Sequence, residues 1–146
     1  MHDSRIGAMG VISIFFLLLV KYASLSTLPP VTLCYTTFLM PVSGRAAIVL
    51  MMQVLPYARK EGGIGSLFYS RYNWTVIVYS VFFYGVSMIF IPLSLVIYGV
   101  SIMLLTTLVF CWWSKKMIGG ATGDTLGACS EINETVVAAV LAIAFY

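Results

Sequence analysis

The chain has 146 residues, of which 61% are hydrophobic and only 9% charged, with a formal net charge of +3. A water-soluble domain draws about a quarter of its residues from the charged set, so these proportions exclude one and make lipid the main solvent. No basic run is interleaved with aromatics, which gives no footing for a nucleic-acid groove. His2 is the only histidine and Cys34, Cys111 and Cys129 are scattered, so a zinc cluster, a disulfide framework and a Ser-His-Asp triad lack their ligands or partners.

The polar start, Met1 to Arg5, precedes an apolar run from Ile6 to about Leu28. Asp3 is out of place in the amino-terminal region of a signal peptide, and the run is read as a retained span. Lys21 lies toward its far end, where a long stem is expected to snorkel to the interface. Pro29-Pro30 ends it. A second apolar stretch covers 31–55, and Pro41 with Gly44 predicts a kink or two half-helices within it. Arg45 sits in mid-span, where a guanidinium calls for an anionic partner, protein or substrate.

A polar loop follows from Pro56 through Arg59, Lys60 and Glu61 to Arg71. The 40 residues from 74 to 113 then carry no charge. A crossing takes about 20 helical residues, so this run is a pair of spans turning near Pro92. Lys115-Lys116 closes it, and a last apolar run ends the chain. The predicted fold is all-α and polytopic, a single transmembrane domain over 1–146, with about five spans at roughly 7–28, 31–55, 74–91, 93–113 and 128–146.

Taking the amino end as inside puts Arg5, Arg59, Lys60, Arg71, Lys115 and Lys116 all on the inner side, with uncharged outer turns. That asymmetry is the one cytoplasmic loops show. Three polar segments then converge on the cytoplasmic face of a cell membrane.

The segment 119–134 is the most polar of them. It holds three of the five carboxylates and four of the twelve glycines. If it is helical, Asp124 and Glu131 lie nearly two turns apart on one face, and Glu134 joins its edge. Acids in such a setting are explained by a divalent cation with substrate phosphates or by a solvated helix start, where they favour the dipole. The glycines also fit a small-xxx-small packing face over Gly119, Gly123 and Gly127. No G-x4-G-K-[ST] follows, which rules out an ATP-binding P-loop.

Taken together, Asp3-Ser4-Arg5-Ile6-Gly7, Pro41 with Gly44-Arg45, Leu55-Pro56-Tyr57-Ala58-Arg59 with Gly63-Ile64-Gly65, and Gly119-Gly120-x-Thr122-Gly123-Asp124-x-x-Gly127-Ala128-x-x-Glu131-x-x-Glu134 form an ordered set. In that order they resemble the membrane-bound cobalamin synthase family, the adenosylcobinamide-GDP ribazoletransferases, over essentially the whole chain.

The resemblance implies a transferase that joins alpha-ribazole, or its 5′-phosphate, to adenosylcobinamide-GDP with release of GMP. It implies Asp124 and Glu131 as catalytic residues, Asp124, Glu131 and Glu134 as ligands of Mg2+, and Asp3, Arg5, Arg45, Arg59, Gly120, Thr122 and Gly123 as substrate contacts. Family members also carry an amino-terminal acidic segment of the type Asp-Gly-Leu-Ala-Asp-x-x-Asp-Gly. Here the chain is expected to be the carboxy-terminal portion of the domain, with a separate chain as a candidate source of that segment. A CDP-alcohol type phosphotransferase and a non-catalytic membrane remnant or subunit of a split enzyme are the alternatives.

Overall fold

The computed structural model describes residues 8–58, 78, 82, 85, 86 and 88–145. Among the described residues, four helices are long and apolar enough to cross a membrane: α1 (Ala8–Ser26), α2 (Pro30–Val54), α3 (Leu93–Ile118) and α4 (Gly123–Phe145). At 1.5 Å per residue even the shortest, with 19 residues, is about 28 Å long, close to a hydrocarbon core of about 30 Å. The chain is a helical membrane protein. The expected span at 74–91 lies mostly outside the described residues.

Each boundary has a local cause. Pro30 opens α2, where its missing N–H costs nothing. The helix then runs through Pro41 and Arg45 to Val54, so of the expected kink or two half-helices, the two half-helices are one helix. The third helix continues five residues past the expected end at 113. Its last turn carries Lys115 and Lys116, cations that favour the negative end of the dipole. Gly119 then takes the left-handed conformation, φ 81°, and its N–H donates to the Lys115 carbonyl at 3.0 Å, a stop that suits a residue without Cβ.

The fourth helix starts at Gly123, earlier than the expected 128, because Thr122 caps it. The Thr125 N–H donates to Thr122 Oγ1 at 3.3 Å, and the Thr122 N–H donates to Thr125 Oγ1 at 2.8 Å. The two threonines thereby act as a reciprocal capping box.

α4 is the hub and packs against each of the other three. Its buried face is wide, including Leu126, Cys129, Ser130, Asn133, Glu134, Val137, Ala138, Leu141 and Ala142. The third helix buries one narrow stripe, Leu95, Gly99, Met103, Thr107, Cys111 and Ser114, at the i, i+4 spacing of a single ridge. Large apolar side chains such as Phe15, Phe38, Leu108 and Trp112 face outward. Small and polar residues such as Ser43, Ser114, Thr107 and Asn133 turn inward beside Leu39, Met51 and Leu141, as small residues do at helix contacts in lipid.

Two short contacts fix the end of the bundle. Ala121 N–H donates to the Pro56 carbonyl at 2.9 Å, and Ala58 N–H donates to the Ala121 carbonyl at 2.8 Å, a parallel bridge between Tyr57 and Ala121. The Ser114 hydroxyl donates to the Gly120 carbonyl at 2.7 Å. A Cβ on Gly120 would collide with the Pro56 carbonyl oxygen, so glycine is what lets the two segments meet. The end of α2 and the turn between α3 and α4 therefore lie side by side.

Candidate active site

One strip of α4 is open. Gly123, Asp124, Gly127, Ala128 and Glu131 are exposed along its first half. An added Cβ at Gly123 or Gly127 would meet nothing within 4 Å among the described residues. Among the described residues no helix packs on these glycines in the way their small-xxx-small spacing allowed. They leave a smooth floor between two acids, Asp124 in the first helical turn and Glu131 two turns on. The expectation that these two acids share a face is met.

Glu134 lies at the edge of that strip and points inward, its side chain 12% exposed against 53% for Glu131. Both carboxylates converge on Lys21. Its ammonium donates to Glu131 Oε2 at 2.7 Å and to Glu134 Oε2 at 2.8 Å. Lys21 therefore does not snorkel: it is buried, on α1, against acids more than a hundred residues away in sequence. An ammonium in a span without a partner is costly, and so is a carboxylate, so the three groups offset one another. Local pattern could not show this pairing, but charge balance could have suggested it. Glu131 and Glu134 are the only acids within the spans expected from sequence, and Lys21 and Arg45 the only bases well inside them.

Glu134 is enclosed from the α2 side as well. A Cβ on Gly44 would stand 2.7 Å from Glu134 Cγ, Glu134 Oε1 and Ser130 Oγ. Gly44 is thus the place where the α2 backbone rides directly on the Glu134 side chain. The Ser130 hydroxyl points toward Glu134 Oε1 at 3.5 Å, at the long limit for such a bond. Deeper along the helix, fully buried Asn133 donates from Nδ2 to the Cys129 carbonyl at 3.0 Å.

The other expected site residues fall into three groups. Gly120 and Thr122 are buried and build the loop beneath Gly123, with Thr122 occupied in the helix cap. Arg45 is exposed on α2 and has no ion-pair partner among the described residues. Asp3, Arg5 and Arg59 lie outside the described residues; Arg59 directly follows the bridge segment 56–58. Among the described residues no group of three or more His, Cys, Asp or Glu is placed to hold a metal ion. Asp124 and Glu131, on the open strip, have the exposure magnesium needs, since that ion keeps several waters and takes one or two carboxylates plus phosphates. Glu134, its side chain enclosed, does not.

A bundle of membrane-spanning helices with paired charges inside it and an acidic, glycine-floored strip at one end defines an integral membrane protein with a polar site at the end of its helices. The family model described as cobalamin-5-phosphate synthase matches residues 1–142, and the chain belongs to that family. Among its relatives is an adenosylcobinamide-GDP ribazoletransferase of Clostridium novyi (strain NT), 36% identical over 141 residues, which cover 93% of this chain and 54% of that protein. A Chlorobaculum parvum protein of the same name is 34% identical over 148 residues, covering 98% of this chain and 58% of that one. One from Listeria monocytogenes is 31% identical over 137 residues, 93% and 55% of the two chains. The chain spans about half the length of the curated relatives it matches. No solved structure matches it.

Proposed function

We propose that this chain carries part of an adenosylcobinamide-GDP ribazoletransferase site in a cell membrane, with the end formed by 56–58, Lys115-Lys116 and 119–124 facing the cytoplasm. The observation that carries the reading is the open strip from Gly123 to Glu131, floored by glycine and held beside 56–58 by the Tyr57–Ala121 bridge. Its motif is the longest of those through which the sequence resembles the family. The basic residues flanking that end support the cytoplasmic placement.

In the proposed reaction a hydroxyl of alpha-ribazole, or of its 5′-phosphate, attacks the phosphorus linked to cobinamide. A new P–O bond forms, the P–O bond of the diphosphate bridge breaks, and GMP leaves with the bridging oxygen. Such a transfer asks the protein for alignment and charge stabilisation rather than covalent participation. The backbone N–H of Gly123 at the start of α4, where the glycine admits close approach, would receive a phosphate oxygen. Glu131 would accept the proton of the attacking hydroxyl. Asp124, with Glu131, would hold magnesium, which when bound neutralises charge on the diphosphate. Arg45 and Arg59, with Asp3 and Arg5, are proposed substrate contacts.

The test is GMP release from adenosylcobinamide-GDP in proteoliposomes carrying this chain, alone and together with the amino-terminal portion of the Clostridium novyi relative. Ribazole-dependent release in either arm supports the reading. No release in both arms, while the intact relative turns over, defeats it.

A further inference from the structure

We propose that Lys21 is a positioning residue: anchored on Glu134 inside the bundle, its ammonium orients the Glu131 carboxylate on the open strip. The two acids it binds are unlike. Glu134 is walled in by Gly44 and Ser130 and has little freedom, with Oε2 taken at 2.8 Å. Glu131 is half-exposed, and its restraint among the described residues is the 2.7 Å bond to the same ammonium. An exposed glutamate samples many rotamers, whereas one tied to a fixed cation keeps few. The chain of contacts therefore runs from the α2 backbone at Gly44 through Glu134 and Lys21 to Glu131.

The packing of α1 supports the same assignment. Lys21 is the only buried residue among those described from 9 to 26. A helix that served only as a lipid-facing wall would bury apolar residues against the hub. This one buries a lysine, at a position where its three N–H donors reach two carboxylates on a single helix face. A lone neutralising partner for Glu134 would not need to reach Glu131 as well.

The inference rests on the proposed role of Glu131, and the experiment separates the two. The double variant Lys21→Met/Glu134→Gln removes the cation together with the buried acid, so no uncompensated charge is left inside the bundle. Glu131 remains, untethered and partly solvated. Membrane yield and thermal unfolding in detergent should match the native protein. Turnover should fall about 10- to 100-fold, the usual cost of losing a group that orients a functional side chain, with KM changed much less than kcat. Lys21→Arg, which keeps a cation and several donors, should recover most of the loss. If the double variant turns over within about two-fold of native while Glu131→Gln is impaired, Lys21 merely neutralises Glu134 and the inference is overturned. If Glu131→Gln itself retains native turnover, the role of Glu131 fails and the inference falls with it.

Discussion

Gly44→Ala puts the geometry around Glu134 to the test with one methyl group. The new Cβ would stand 2.7 Å from three heavy atoms, two of Glu134 and one of Ser130. Ordinary carbon contacts lie at about 3.5–4.0 Å, so α2 and α4 would have to separate by about 1 Å or Glu134 leave Lys21. Neither escape is easy, because Ser130 is short and Glu134 Oε2 is held at 2.8 Å. Overpacking of this kind costs about 1–3 kcal/mol, while replacing a helical glycine by alanine returns about 0.5–1 kcal/mol. The balance is a loss of about 1 kcal/mol at the middle of these ranges and about 2.5 kcal/mol at most, and each kcal/mol is worth about 2–4 °C in Tm for a chain of this size.

Thermal unfolding in detergent, followed by circular dichroism and by retention of the monodisperse peak, gives the number. Gly127→Ala is the control, since among the described residues nothing lies within 4 Å of its added Cβ, and it should gain about 0.5–1 kcal/mol. Repeating Gly44→Ala in a Glu134→Ala/Ser130→Ala background should abolish its cost. A Gly44→Ala protein as stable as Gly127→Ala would refute the close approach of α2 to Glu134.

Three further outcomes follow from the site. In a Cys34→Ser background, a cysteine at Glu131 should react with a charged, membrane-impermeant thiol reagent added from the cytoplasmic side, and a cysteine at Glu134 should not; equal labelling would contradict the inward turn of Glu134. Ser114→Ala orphans the buried Gly120 carbonyl that accepts at 2.7 Å, a loss of about 1–3 kcal/mol visible as a lower Tm. Thr122→Ala should cost about 1 kcal/mol through the lost cap on α4, with Thr122→Ser close to native in the same unfolding assay.

The four spans among the described residues were legible because a bilayer constrains length and charge tightly, and an uncharged run as long as 93–113 admits few readings. The start of α4 was harder to see. Asp124 and Glu131 depress hydropathy where the helix begins, and the Thr122–Thr125 pair lacks the glutamate that marks a familiar capping box. Lys115 and Lys116 read as the end of a span, whereas α3 carries them in its last turn. What local pattern could not supply was partnership across the bundle. Lys21 meets acids on α4, and Gly44 was readable as a small residue but not as the seat of Glu134, since both facts depend on how two distant helices pack. Arg45, for which mid-span burial predicted a partner, lies exposed on α2 with none among the described residues.

Asp124→Asn, assayed for turnover and for its response to magnesium in a ribazoletransferase-competent preparation, bears most directly on the claim that the strip from Gly123 to Glu131 is the working site. The substitution keeps size and the helix cap while removing the charge. Membrane yield and Tm should stay near native, turnover should fall at least about 100-fold, as for loss of a group that aligns or stabilises reacting atoms, and the magnesium response should weaken. Native turnover with an unchanged magnesium response would contradict the account.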